Sequence, residues 1–284
     1  MAVNNFIPTI WSEKLWRELD RKYIGAAHCC RDYEGDIKEK GNKVKILGTE
    51  TVSINNYAKN TNMSSPQAIS DNCRELVINQ AKYFNFQIDD VDHAQAVPGL
   101  MDNVIHAAAE KLALVADEYI FSLYDDAGYV LETDNRDTEA LFKTFLNART
   151  ILYRSNVNNS DDLVLEVTPE VARYLLEGKM ALQTDNTETL DNGCIGKLFG
   201  VKVYVTNSVF QDYNTSDPEG PIGYHKCLMR SKRAIAYASQ ISEIEAYRPE
   251  LRFADAVKGL HLYGAKVIYP EEMITIDVGI YDEI

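Results

Sequence analysis

Apolar and polar positions alternate strictly from Ala81 to Asp92, with Phe84, Phe86 and Ile88 on one face and Tyr83, Asn85, Gln87 and Asp89 on the other. A period of two predicts a β-strand. At Pro98 the period changes. Met101, Val104, Ile105, Ala108, Leu112, Val115, Ala116, Tyr119, Ile120 and Leu123 recur at i, i+3, i+4 and i+7, while Asp102, Asn103, His106, Glu110, Lys111, Asp117 and Glu118 share the opposite side. This spacing predicts one helix over 99–126, with Pro98 in its first turn, Asp102 at the positive end of the dipole and Gly128 as its stop. At ~1.5 Å per residue the rod is roughly 40 Å long. An ordinary globular helix has about 11–12 residues, so this one reads as a spine laid across a sheet. Asp92-x-x-Gln95 fits a capping box between strand and rod.

The leader, residues 1–32, begins with a polar stretch (Asn4, Asn5, Pro8). It then places Trp11, Leu15, Leu19 and Tyr23 at helical spacing, with Ser12 as a candidate N-cap. It reads as an arm that needs something to lie against. Residues 33–80 are poor in large apolar side chains. Val44/Ile46 and Val52/Ile54 predict two short strands with Gly48-Thr49 in the turn, the polar run Asn55–Asp71 follows, and Leu76-Val77-Ile78 resumes a strand. Such an excursion cannot build its own core. Beyond Gly128, Leu141, Phe145, Ala148 and Leu152 predict a helix over 138–154, and Asp162–Val167 a strand. Thr168-Pro169-Glu170 is a strong helix start, and that helix is expected to end at Gly178. Val201, Val203 and Val205 predict a strand, Asp212–Gly223 a loop, and Cys227–Met229 and Ala234–Ala238 further short elements. Residues 251–269 carry Gly259 and Gly264 between apolar positions, and Ile274, Ile276 and Val278 form a closing strand. The class is α+β, with an α/β block at 129–250 inserted between the rod and the last strands.

The chain has 284 residues, 45% hydrophobic and 25% charged, enough to bury a core in one or two domains. No apolar run reaches membrane-spanning length and MAVNNFIPTIW lacks the features of a secretory signal, so a cytoplasmic site of synthesis is expected. The net charge is −14. Residues 110–139 hold nine acids against Lys111 and Arg136, whereas residues 36–60 hold five lysines (38, 40, 43, 45 and 59) against three acids. A basic excursion on an acidic body suits an arm that docks on a neighbouring copy. Tight nucleic-acid binding, which needs a field of cations, is not expected.

Candidate chemistry is sparse. The five cysteines (29, 30, 73, 194 and 227) show no C-x-x-C spacing and read as reduced thiols. His28-Cys29-Cys30 lacks a second ligand pair, so no metal centre is expected. Asn192–Lys197 falls short of phosphate-loop spacing and reads as a turn. Asp89-Asp90 and Asp125-Asp126 read as solvated pairs, and the five histidines show no ligand spacing, His106 facing solvent or a neighbour. No catalytic, cofactor or metal residue is assigned. Seventeen tyrosines and Asn-rich loops suit packing and interface surfaces.

In order along the chain, the NNFIP-x-IW-x-x-x-L leader, DYEG…G-x-KVKI, INQAKYFNFQIDDVDHAQA, the long helix and RFADAVKGLHLYGAKVI…EEMITIDV together resemble the major capsid proteins of tailed bacteriophages with the Hong Kong 97 fold. The resemblance implies an N-terminal arm (1–32), an extended loop (33–80), a peripheral domain (81–128 and 251–284, with the spine at 99–126) and an axial α/β domain (129–250). It implies hexamers and pentamers in an icosahedral virion shell, assembled in the host cytoplasm. Such a shell encloses double-stranded DNA without sequence-specific binding, and has a portal and a decoration protein as partners. A separate scaffolding protein is expected, since no scaffolding segment precedes the arm. Trp11, Trp16, Lys43, Lys45, Tyr57 and Lys59 are the residues expected at contacts between copies. The lysine–asparagine cross-link of some relatives cannot be matched to positions here. A cellular nanocompartment (encapsulin-like) shell is the alternative, and a cytoplasmic α/β enzyme a more distant one.

Overall fold

Every residue of the strand Leu163–Val167 is buried, and the molecule is layered about it. The computed structural model describes residues 15, 17–19, 22–33, 43–49, 54, 56, 57, 59, 62, 65, 71–89, 100–157, 162–177, 194–213, 221–251 and 253–281. The strands are β1 (Lys43–Thr49), β2 (Asp71–Val77), β3 (Gln80–Asp89), β4 (Tyr129–Asp134), β5 (Leu163–Val167), β6 (Cys194–Leu198), β7 (Val201–Val205), β8 (Gln211–Asp212), β9 (Gly223–Ser231), β10 (Ile235–Tyr247), β11 (Ala254–Val267) and β12 (Met273–Ile280). The helices are α1 (Leu100–Phe121), α2 (Thr138–Arg154) and α3 (Pro169–Glu177).

A seven-stranded mixed sheet runs β4-β12-β9-β5-β7-β6, with β8 on β9. Helices α2 and α3 cover one face. Leu141, Phe145, Ala148 and Leu152 of α2 are fully buried against Val203, Cys227 and Ile276, as the predicted stripe requires. Each large side chain buried this way contributes about 1.5–3 kcal/mol. Asp137 caps α2, accepting from the amides of Glu139 and Ala140. The other face meets a second core, shared by α1, the leader and the three-stranded antiparallel sheet β10-β11-β3. On β3 the predicted alternation holds: Phe84 and Phe86 stack toward this core while Tyr83 is 79% exposed. Glycine at 259 is required there, because a Cβ would lie 2.4 Å from the Phe84 ring. The third sheet, β1-β2, seats Val44, Ile46 and Leu76 on Ala236, Ala238 and Ile268.

Several expectations are corrected. The regular helix stops at Phe121, and Ser122–Asp126 tightens into a 3-10 turn in which the Ser122 hydroxyl donates to the Tyr119 carbonyl. The rod therefore has 22 residues, about 33 Å at the α-helical rise. Gly128 does not cap it. Its amide donates to Pro270 O, and a Cβ there would come within 2.5 Å of that oxygen, so close backbone approach explains the glycine. Gly48 and Thr49 are not a turn: β1 runs through them and pairs with β2 in the register Gly48↔Asn72 and Thr49↔Asp71. Residues 194–198 form an edge strand with a bulge at Cys194/Gly196 rather than a turn. The proposed division at 250/251 also moves. β10 lies beside β11 in the three-stranded sheet, and β12 sits inside the seven-stranded sheet between β4 and β9, where seven of its eight residues are buried. The capping box at 92–95 and the helix end at Gly178 lie outside the described residues.

Gly264→Ala tests the packing of β11, since its Cβ would meet Val77 O at 2.3 Å. It should lower stability by about 1–3 kcal/mol in urea unfolding. Gly279→Ala, whose nearest neighbour is the Pro221 side chain at 3.3 Å, should cost clearly less.

Candidate functional site

The fully buried runs Leu163–Val167 of β5 and Cys227–Ser231 of β9 each carry one charge, Glu166 and Arg230. Both side chains are wholly buried. Arg230 Nε donates to Glu166 Oε2 at 2.9 Å and Nη2 to Oε1 at 2.8 Å, a bidentate pair. The remaining donors reach the leader: Nη1 meets His28 O at 2.7 Å and Nη2 meets Gly25 O at 3.1 Å. His28 Nδ1 lies 3.2 Å from Glu166 Oε1, and its ring packs 4.0 Å from that of Tyr204. Burial alone would raise the Glu166 pKa, but the Arg230 charge and the His28 contact hold it below the usual value. From α1, Asp117 accepts the amides of Ile24 and Ala26 at 2.8 and 2.9 Å. Asp117 was expected on the solvent face and is instead buried. Burial lifts its pKa to about 6 against the opposing pull of these amides.

The described residues of the leader between Leu15 and Cys30 are thus fixed to its own body. Leu15, Leu19 and Tyr23 are buried against α1 and β10, the amide of Cys30 donates to Ile235 O, and His106, exposed to solvent as expected, also meets Glu18 at 3.1 Å. The expectation that this part needs another copy to lie on does not hold. Likewise, the excursion is rooted on its own body through Val44, Ile46 and Leu76. Its outer part is different. Among the described residues of 50–70, none belongs to a helix or strand, Ile54 is 96% exposed and Tyr57 75%.

Of the residues expected at contacts between copies, Trp11 and Trp16 lie outside the described residues. Lys43 and Lys45 project from the exposed face of β1, opposite buried Val44 and Ile46, and flank Glu75: Lys43 Nζ bonds it at 2.7 Å and Lys45 is its register partner. Tyr57 and Lys59 are exposed. The fold brings Lys43 and Lys45 onto one surface and leaves Tyr57 and Lys59 out on the excursion.

A catalytic triad is not assembled at the Thr168–His225 pair. Thr168 Oγ1 lies 2.6 Å from His225 Nδ1, but Glu170 Oε2 approaches the same nitrogen at 3.6 Å, so the acid cannot orient the ring for the hydroxyl as a triad requires. A cleft of about 530 Å³ is lined by Cys30, Asp162 and Arg233, among others. Burial raises the Cys30 thiol above its ordinary pKa, the opposite of an activated nucleophile. Among the described residues no group of three His, Cys, Asp or Glu side chains could hold a metal, and no helix is long and apolar enough to cross a membrane.

The layered architecture, a spine helix over a three-stranded sheet beside a seven-stranded α/β block, is the Hong Kong 97-type capsid fold. No family model matches the sequence, and no curated protein is detectably similar to it. Solved structures are similar over almost the whole chain. One from Mycobacterium phage Che8 has a TM-score of 0.67 and 28% identity, covering 89% of this chain and 90% of its own. The capsid of Ralstonia phage GP4 has a TM-score of 0.69 at 10% identity, covering 94% and 92%. A virus-like particle from Pyrococcus furiosus has a TM-score of 0.59 at 11% identity, covering 95% and 99%.

Removing one partner of a buried pair strands the other charge. Arg230→Met should cost about 3–5 kcal/mol in urea unfolding. Adding Glu166→Leu should recover at least about 1 kcal/mol of that loss.

The Asp117 pKa is raised on folding, so its contribution to stability is present below pH 3.8 and is lost as pH rises through about 6. Buried His261, lowered to about 4 by burial, contributes in the opposite sense, gaining as pH rises through the same window. Subtracting the pH profile of Asp117→Asn from that of the wild type should isolate a term that falls between pH 4 and 6.

Proposed function

We propose that this chain is the major capsid protein of a tailed bacteriophage, assembling into hexamers and pentamers of an icosahedral shell around double-stranded DNA. The observation that carries the reading is near end-to-end similarity to a phage protein at 28% identity, with both chains covered to about nine-tenths. The surface supports it. The excursion carries exposed Ile54, Tyr57 and Lys59, which suit burial on a second copy, and the net charge of −14 suits an inner wall that does not grip phosphates. In this reading α1 with β3, β10 and β11 forms the peripheral region, and the seven-stranded sheet with α2 and α3 the axial region. Lys43, Lys45, Tyr57 and Lys59 lie at contacts between copies, as do Trp11 and Trp16 of the leader. A separate scaffolding protein serves its assembly in the host cytoplasm, and a portal and a decoration protein are its partners in the virion.

A nanocompartment shell is the second reading, favoured by similarity to the Pyrococcus furiosus virus-like particle over 95% of this chain. Particle contents separate the two: DNA in a shell recovered from infected cells supports the phage reading, and packaged enzyme supports the other. Electron microscopy of the purified protein, expressed with its scaffold, should show hollow, near-spherical particles. A strictly monomeric chain under those conditions refutes both readings.

Excision tests the excursion. Replacing residues 50–70 by Asn-Gly joins Thr49 to Asp71, which already face each other in register. The body should keep its melting temperature to within a few degrees, about 1 kcal/mol, and should form no stable shells.

A further inference from the structure

The seven-stranded sheet ends in β4 on one side and β6 on the other, and among the described residues nothing pairs their outer sides. The two ends carry opposite charge on the same face. On β4, exposed Glu132 sits beside Asp277 of β12. On β6, exposed Lys197 lies directly opposite Lys202 of β7. The registers Glu132↔Asp277↔Lys226, Leu228↔Glu166↔Tyr204 and Lys202↔Lys197 trace one face across the whole sheet.

Like charges placed opposite each other destabilise a sheet. Asp277 is answered by Lys226 at 2.5 Å, whereas Glu132, Lys197 and Lys202 have no ion-pair partner among the described residues. Nor can they answer each other within one copy. Five strand spacings separate the edges, about 24 Å, roughly three Debye lengths at physiological salt. Beside Glu132, on the same face, Val130 is 56% exposed.

We propose that these edges mate between copies: the β4 edge of one subunit, through Glu132 and Val130, docks on the Lys197–Lys202 edge of the next. The inference rests on the shell reading and names the surfaces that close its rings. Two different edges of one sheet make a head-to-tail contact, which generates a ring when the rotation closes. Opposite charge sets the order and rejects β4-to-β4 or β6-to-β6 pairing.

The test uses the full chain with its scaffold at physiological salt, with particles counted by electron microscopy and sedimentation. Glu132→Lys alone, and Lys197→Glu with Lys202→Glu, should each cut particle yield at least tenfold without lowering the melting temperature of the unassembled chain. The chain carrying all three substitutions should recover. An equimolar mixture of the first two proteins should form rings with even membership only, because copies positive at both edges must alternate with copies negative at both. Wild-type yield from every variant, or no recovery in the triple variant when it is folded, overturns the contact and leaves the shell reading standing. Failure of the wild-type chain to form particles overturns the shell reading itself.

Discussion

Arg230, wholly buried, places its donors on two other parts of the chain at once, β5 and the leader. Two donors hold Glu166, two more reach the carbonyls of Gly25 and His28, and a last contact at 3.7 Å falls on the Cys29 sulfur. Desolvating two ions costs several kcal/mol apiece, and their attraction offsets this only with good geometry. What the arrangement secures is direction. An apolar pair would hold β5 against β9 equally well, but it could not select which peptide groups of the leader cross above them. The buried Asp117 repeats the device from the other side, receiving amides two residues apart. Leader, spine and sheet are thereby keyed to one another.

That keying explains where self-sufficiency stops. Everything rooted by the polar centre or by Val44, Ile46 and Leu76 is finished within one copy. Exposed apolar side chains lie farther out, among them Ile54 and Tyr57 on the excursion and Val130 at a rim of the large sheet. A body made rigid in this way can carry unfinished edges without collapsing onto them, which suits a part meant for repetition.

Much of the fold was legible in the sequence. The β3 alternation, the α2 stripe and the start of α3 were each visible as local periodicity, because in each case one face is buried and the other is not. Long-range pairing was not legible. Nothing near Gly48 signals that β1 continues to a partner beginning at Asp71, and nothing in Ile274, Ile276 and Val278 says that they belong between β4 and β9. The resemblance to capsid proteins supplied the fold class, but its division at 250/251 falls between the paired strands β10 and β11 and parts β12 from its neighbours β4 and β9. The polar centre was missed although its signal was present: a single charge in LVLEV and another in CLMRS. A lone charge in a strand buried on both faces has to find a partner. Asp117 was misplaced because helical periodicity assigns a face by average hydrophobicity and cannot see two amides waiting opposite one position.

The place of β12 has a further consequence for synthesis. β4 is made early, yet its strand partner among the described residues is β12, more than a hundred positions later. On the ribosome the rim bearing Glu132 therefore has no sheet to belong to until the chain has emerged through Ile280. A chain interrupted before β12 leaves β4 without this partner, so the large sheet then lacks the rim that carries Glu132.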